Sequence, residues 1–267
     1  MVCPLFSLPS TQRVLTSNRS VGSGSIGVTD RPRTTSAYSE PMDEISSVLG
    51  ELADAESRLA GSVGRLVGHD LREASLLPGW TQAHVLVHLA RNADGLRNLL
   101  LAARTGASLR MYASPTTRAA DIDAGVGRPS DVILDDTLES SRRFLVEARA
   151  MPDDSWEAIV AFTSGGLNPP LVTAARIIRL RLGEVEIHHA DLGTSYGFAD
   201  TPTSLAVRLI EDFAKIRTDQ GVPLLFELVD IDRRISTTET IDAPVIRGST
   251  AATLGWLAMP TRRLKRA

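Results

Sequence analysis

Four long segments of the chain repeat apolar residues at intervals of three and four, and this spacing restricts the fold more than any other feature. In the first segment, which begins near Met42, the repeating positions include Ile45, Val48, Leu52 and Leu59. An α-helix has about 3.6 residues per turn, so these side chains line one side of an amphipathic helix. Such helices become stable when their apolar sides pack against one another. The pattern therefore predicts a helical bundle.

Turn signals separate the four segments. The second begins after a Pro-Gly turn, with Thr81 as its expected N-cap, and it ends at Gly106. The third covers about residues 131–152 and the fourth about residues 171–192. Residues 107–129 contain two prolines and two glycines, so we expect a long connection rather than a helix between the second and third segments.

The two ends of the chain differ from this helical region. Residues 1–41 are rich in Ser, Thr, Gly, Pro and Arg and lack the apolar run of a secretory signal, so we expect a disordered leader. An upstream start codon explains this leader more simply than a transit peptide does. Residues 199–267 combine helical segments with three short β-leaning segments. We therefore predict a mostly α protein, with a four-helix bundle at residues 42–198 and a small α+β C-terminal domain at residues 199–267.

Composition argues against several classes of function. The net charge is −3, so the chain offers no strong positive field for nucleic acid or an anionic membrane. No apolar run reaches the roughly 18 residues of a membrane-spanning helix. Cys3 is the only cysteine, which excludes a disulfide framework within the chain. We expect a cytoplasmic protein that is a monomer or a weak homo-oligomer and binds neither nucleic acid nor membranes.

The fourth segment contains an unusual group of polar residues in the stretch RLRLGEVEIHHADLG. Glu184 and His188 are four residues apart and share one side of a helix, whereas His189 faces about 100° away. The second segment contains His84 and His88, which are also four residues apart. Two imidazoles and one carboxylate from neighbouring helices suit zinc, and three protein ligands leave positions open, as in catalytic sites. Histidines that only form hydrogen bonds give the same spacing by chance, so spacing alone leaves both interpretations open.

Three motifs narrow the choice: GWTQAHVLVHLARNA, MYASPTTR and EVEIHHADLG. Together they resemble the mycothiol-dependent maleylpyruvate isomerases, which are actinobacterial enzymes with a DinB-like four-helix bundle and a small C-terminal α+β domain. The resemblance covers about residues 43–267. It implies three metal ligands, namely His88, Glu184 and His188. It also places an active-site arginine at Arg118 and assigns His84 to the core or to a position behind the ligands. Asp191 is expected either to orient an imidazole or to form a contact at the helix end.

The resemblance also implies an activity. Members of this family convert maleylpyruvate to fumarylpyruvate, a step of gentisate breakdown, by reversible addition of a thiolate to the double bond. Since Cys3 lies in the leader, the thiol must come from outside the chain, which fits mycothiol as the thiol cofactor. Zinc would deprotonate that thiol, and Arg118 would bind the substrate's carboxylates or enolate. Two alternatives stay open: a mycothiol-dependent S-transferase acting on electrophiles, and a non-catalytic, metal-stabilised binding module.

Overall fold

The computed structural model describes residues 42–162, 170–219, 222–237 and 243–258, so the leader expected at residues 1–41 lies outside the described residues. The described part contains seven α-helices and five short strands. The helices are α1 (Met42–Arg65), α2 (Gln82–Thr105), α3 (Pro115–Gly125), α4 (Ser130–Arg149), α5 (Ala174–Asp191), α6 (Thr203–Asp219) and α7 (Thr250–Ala258). The strands are β1 (Ile159–Ala161), β2 (Leu171–Thr173), β3 (Leu225–Leu228), β4 (Arg233–Ser236) and β5 (Val245–Gly248). The predicted fold class, mostly α, is confirmed.

Helices α1, α2, α4 and α5 form the four-helix bundle that the sequence predicted. Both α1 and α2 pack against α4 and α5. Helix α5 is the most deeply placed, because every residue from Leu180 to Ala190 is buried. Its polar side chains therefore cannot reach bulk water and must find partners inside the protein.

Both predicted ends of the second helix are confirmed. The hydroxyl of Thr81 accepts the backbone N–H of His84, and the imidazole of His84 in turn accepts the backbone N–H of Thr81 at 3.2 Å. This reciprocal capping box satisfies two of the N–H groups that the first helical turn leaves without partners. At the other end, Gly106 has φ of 70°, a left-handed conformation that glycine adopts without steric cost.

The segment before α2 fixes the axial position of α2 relative to α5. The backbone N–H of Leu76 donates to the carbonyl of Asp191 at 2.8 Å. The side-chain amide of Gln82, in the first turn of α2, donates to the carbonyl of Leu192 at 3.1 Å. The start of α2 is therefore held against the end of α5, which determines which residues of the two helices face each other.

The expectation of a connection without helix at residues 107–129 is wrong, because this region contains α3. Ser114 is its N-cap, and its hydroxyl accepts the backbone N–H of Thr117 at 3.0 Å. Pro115 occupies the first turn, where its missing N–H costs nothing. The Ser-Pro pair was a helix-start signal, and the two prolines and two glycines had been weighed only as helix breakers. Helix α3 packs against α2.

The fourth segment also begins later than expected. Residues 171–173 form strand β2, which pairs antiparallel with β1, and α5 starts only at Ala174. The hydroxyl of Thr173 caps the helix by accepting the backbone N–H of Arg176 at 3.3 Å.

The region after α5 contains the helices and strands expected for a small α+β part. Strand β3 lies between β4, with which it is antiparallel, and β5, with which it is parallel. Helix α6 contacts α7 and also the bundle, through an ion pair of 2.7 Å between Arg176 and Asp212. The domain boundary near residue 198 stays a prediction. Within the described residues, no helix is long and apolar enough to cross a membrane.

Candidate metal centre

The three residues proposed as metal ligands meet in the interior of the bundle. Among the described residues, His88, Glu184 and His188 form a group whose possible ligand atoms all lie within 4.8 Å of one another. Oε2 of Glu184 is 2.8 Å from Nε2 of His88 and 3.3 Å from Nε2 of His188. Ligand atoms around a tetrahedral zinc ion are separated by about 3.3 Å, given metal–ligand bonds of about 2.0–2.1 Å. The Glu184–His188 distance already matches that spacing, and the Glu184–His88 distance is shorter than it.

Asp191 fixes the orientation of one of the two imidazoles. Its Oδ2 lies 2.8 Å from Nδ1 of His188, one turn earlier on α5. A proton on Nδ1 is donated to this carboxylate, so Nε2 keeps its lone pair and faces Glu184. Carboxylate–histidine pairs of this kind are common behind metal ligands. Of the two roles that the sequence left open for Asp191, the structure supports the orienting one.

Arg118 lies beside the other imidazole. It is in the first turn of α3, and its Nη2 is 3.1 Å from Nδ1 of His88. A guanidinium can only donate, so Nδ1 accepts and the His88 proton is on Nε2, where it is donated to Glu184. A metal bound at Nε2 would require that proton to be on Nδ1 instead. The Arg118–His88 hydrogen bond and metal binding by Nε2 of His88 therefore exclude each other.

His84 does not lie in the core, contrary to one expectation. It is only partly buried, and its imidazole closes the capping box at the start of α2. Its ring packs on Trp80, whose ring centroid is also 5.7 Å from that of His88. His84 therefore supports the helix that carries His88 and is not part of the three-residue cluster.

The opposite side of α5 is occupied by a separate set of contacts. Glu186 pairs with Arg58 and accepts the hydroxyl of Tyr196 at 2.6 Å. Nε2 of His189 is 2.7 Å from the hydroxyl of Ser62. The expectation that His189 faces away from Glu184 and His188 is thus confirmed.

Comparison with known proteins gives this arrangement a context. The chain matches the family model of the mycothiol maleylpyruvate isomerase N-terminal domain over residues 52–193, which is more than half of its length. The chain belongs to the mycothiol maleylpyruvate isomerase family. No curated protein matches it.

Two solved structures resemble this family member in both fold and sequence. The crystal structure of the mycothiol-dependent maleylpyruvate isomerase is 28% identical with a TM-score of 0.72, and the match covers 80% of this chain and 88% of that chain. The crystal structure of a histidine-to-alanine mutant of a mycothiol-dependent maleylpyruvate isomerase is 27% identical, with the same TM-score and coverage. These matches confirm the resemblance that the sequence motifs indicated.

The charges of the cluster favour a cation in this family member. Burial alone would raise the pKa of Glu184, but the adjacent His88, whose Nε2–H donates to it at 2.8 Å, outweighs burial and holds that pKa below its usual range. Burial lowers the pKa of His88, so its imidazole is neutral at pH 7. Among the described residues, no Lys or Arg side chain donates a hydrogen bond to Glu184. The result is an ionised carboxylate in the interior whose direct partners are imidazoles, and a divalent cation would compensate its charge.

Arg181 supports the cluster from one turn earlier on α5. Its fully buried guanidinium donates to Glu56 on α1 at 2.8 Å, to Asn92 on α2 at 3.0 Å and to Ser141 on α4 at 2.9 Å. It thereby joins all four helices of the bundle next to Glu184. Sequence analysis gave Arg181 no role, although an arginine within an apolar segment was an available signal.

Proposed function

We propose that this protein is a zinc- and mycothiol-dependent cis–trans isomerase that converts maleylpyruvate to fumarylpyruvate in gentisate degradation. The observation that carries the proposal is the buried group of His88, Glu184 and His188 with Arg118 beside it. Membership in the family and the two similar crystal structures support the same reaction.

The residues of the site would have two roles, binding a metal and binding an anion. His88, Glu184 and His188 would hold the zinc ion, and Asp191 would keep the His188 ring in place. With zinc bound, mycothiol would supply a thiolate, whose reversible addition to the alkene allows the central bond to rotate. Arg118 would bind a carboxylate or enolate oxygen of the substrate through its paired N–H groups. Mycothiol would supply the thiol because the chain has only one cysteine, Cys3, and this residue lies in the N-terminal segment before the bundle.

A pair of histidine variants tests the metal site. We expect His88→Ala to lose both bound zinc and mycothiol-dependent turnover, because it removes one of three ligands. His84→Ala serves as the matched control, since it lies one turn away on the same helix. That variant should keep its zinc and its turnover while losing about 1 kcal/mol of stability with the capping box. Metal analysis of the purified proteins and a coupled assay with maleylpyruvate measure both properties.

Retention of zinc and full turnover by His88→Ala would exclude the site. Loss of zinc from both variants would instead show that the start of α2, rather than one ligand, controls metal binding.

The nature of the substrate separates this proposal from a mycothiol-dependent S-transferase. A cation at Arg118 favours an anionic substrate such as an unsaturated diacid, whereas a neutral electrophile gives no reason for it. Zinc-loaded protein should therefore isomerise maleylpyruvate with mycothiol present and not without it. Turnover of a neutral electrophile, without isomerisation, would support the transferase, and inactivity toward both would support a binding module.

The proposal also includes the cellular location and the oligomeric state of the enzyme. We place it in the cytoplasm as a monomer or weak homo-oligomer that acts on a small molecule. Light scattering at several protein concentrations tests the oligomeric state.

A further inference from the structure

A tyrosine close to the site has a hydroxyl proton with no acceptor among the described residues. Oη of Tyr112 is buried and makes no hydrogen bond of normal geometry to the described residues, and the nearby Arg118 guanidinium can only donate to it, so the phenolic proton has no acceptor. Buried hydroxyl groups in native proteins are nearly always hydrogen-bonded, so an exception requires an explanation. One such explanation is that the hydroxyl forms its hydrogen bond only when a ligand is bound.

The position of Tyr112 is fixed by close packing of its loop on α2. A Cβ atom placed on Gly95 would lie 2.9 Å from the carbonyl oxygen of Met111 and 3.2 Å from Cε1 of Tyr112. The loop reaches this distance only because residue 95 has no side chain. The ring of Tyr112 also lies beside Arg118, whose guanidinium carbon is 5.8 Å from the ring centroid. Tyr112 is therefore held next to the arginine of the site.

The Tyr112 hydroxyl is a donor at neutral pH. Burial raises the pKa of Tyr112 to about 12, while Arg118 acts to lower it and Glu184 acts to raise it. Arg118 lies beside both the Tyr112 ring and Nδ1 of His88, so one residue links Tyr112 to the metal cluster. A protonated phenol there can donate one hydrogen bond to a negatively charged oxygen.

We propose that Tyr112 donates a hydrogen bond to the same anionic part of the substrate that Arg118 binds. The inference rests on the proposed function. Addition at the alkene carbon moves the π electron pair onto the conjugated carbonyl oxygen, and elimination returns the pair to the alkene. Tyr112 keeps its proton throughout and stabilises the charge on that oxygen, as donors in oxyanion holes do.

The variant Tyr112→Phe tests the inference because it removes one oxygen atom and little else. We expect kcat and kcat/KM for maleylpyruvate to fall together by about 10²-fold, the typical loss for one oxyanion donor. Zinc content should not change. The melting temperature should change little, because the hydroxyl makes no hydrogen bond of normal geometry to the described residues.

Tyr196→Phe is the matched control, since the Tyr196 hydroxyl is hydrogen-bonded to Glu186 on the other side of α5. Its loss should lower the melting temperature and leave kcat unchanged. The two tyrosines are thus expected to show opposite patterns of stability and activity.

A binding measurement separates failure of this inference from failure of the proposed function. The probe is maleate, a stable cis diacid, titrated calorimetrically into the zinc-loaded proteins. If the native protein turns over maleylpyruvate and Tyr112→Phe matches it in kcat and in maleate affinity, the inference is wrong and the function stands. If the native protein has no isomerase activity, the proposed function is wrong. The inference about Tyr112 is then tested only by the calorimetric affinity for maleate. Weaker binding by Tyr112→Phe then supports the inference, and equal affinity or no binding to either protein overturns it.

Discussion

The two imidazoles of the metal cluster have partners of opposite chemical character. His188 donates to a carboxylate, Asp191, whereas His88 accepts from a guanidinium, Arg118. The first arrangement prepares Nε2 for a metal. The second would have to be broken for Nε2 of His88 to bind one, and Arg118 would then be free to bind the proposed substrate. On this proposal, metal loading and the readiness of Arg118 to bind an anion are coupled.

This coupling gives opposite expectations for metal affinity and for turnover. Arg118→Ala should bind zinc at least as tightly as the native protein, because no hydrogen bond to His88 has to be broken. Its maleylpyruvate turnover should nevertheless fall by about 10²–10³-fold, the cost of losing one charged donor at a reacting oxygen. Competition with a chromophoric chelator measures the affinity, and steady-state kinetics measure the turnover. Arg110→Ala, an exposed arginine in the loop before α3, is the control and should change neither quantity.

Unchanged turnover by Arg118→Ala would remove the arginine from the reaction. A large loss of zinc affinity in the same variant would show that Arg118 supports the metal site rather than competing with it.

At the scale of single elements, α3 depends on two close approaches to α2. Gly95 on α2 leaves room for the loop before α3, and Gly125 at the end of α3 leaves room for Val87. A Cβ atom on Gly125 would lie 2.5 Å from a methyl carbon of Val87. The position of the helix that carries Arg118 therefore depends on close packing against α2 near both of its ends, which only glycine allows.

We expect Gly95→Ala to displace this loop and impair activity more than stability. The new methyl group would meet the backbone oxygen of Met111, which cannot rotate away. Overpacking of this kind costs about 1–3 kcal/mol, but the better helix propensity of alanine returns about 1 kcal/mol. Gly50→Ala on α1 is the control, because its Cβ position has nothing within 4 Å apart from its chain neighbours and its own helix backbone, and it should be slightly more stable. Urea unfolding and kcat/KM together give the comparison, and a fully active Gly95→Ala protein would contradict it.

The stability of the bundle around α5 depends on the buried Arg181. Arg181→Met should lower the free energy of unfolding by about 3–5 kcal/mol, because it leaves the carboxylate of Glu56 buried without its cation. Adding Glu56→Gln should recover part of that loss. The control is Arg142→Met, an exposed arginine paired with Glu139 on α4, with an expected cost of less than about 1 kcal/mol. Equal effects of Arg181→Met and Arg142→Met in urea unfolding would show that the buried network has no special importance.

The elements also show what the sequence could predict and what it could not. The spacing of Glu184 and His188 is local, so helical periodicity was enough to place them on one side of α5. The choice between His84 and His88 is not local, because it depends on hydrogen bonds that join the start of α2 to the end of α5. Periodicity cannot distinguish residues one turn apart, and family resemblance supplied that choice. Tyr112 was missed because a hydroxyl proton without an acceptor is visible only after the chain has folded.

For the molecule as a whole, metal binding and folding should be linked. The proposed ligands come from α2 and α5, which are joined in the folded bundle and separate in the unfolded chain. Zinc at about 1,000 times its Kd should therefore add about 4 kcal/mol of stability, or roughly 10 °C in melting temperature. Thermal unfolding with zinc and with a chelator measures this difference. Glu184→Gln is the control and should not respond to zinc, and an equal rise in both proteins would indicate binding elsewhere.

The unbroken burial of α5 from Leu180 to Ala190 has a consequence for how the molecule can diversify. A library of all single substitutions should tolerate very few changes in this helix, since each position is enclosed by other elements. The exposed loop residues at 107–110 should tolerate many. New substrate preferences would then arise through exchange of the segment leading to Arg118, while α5 stays the same.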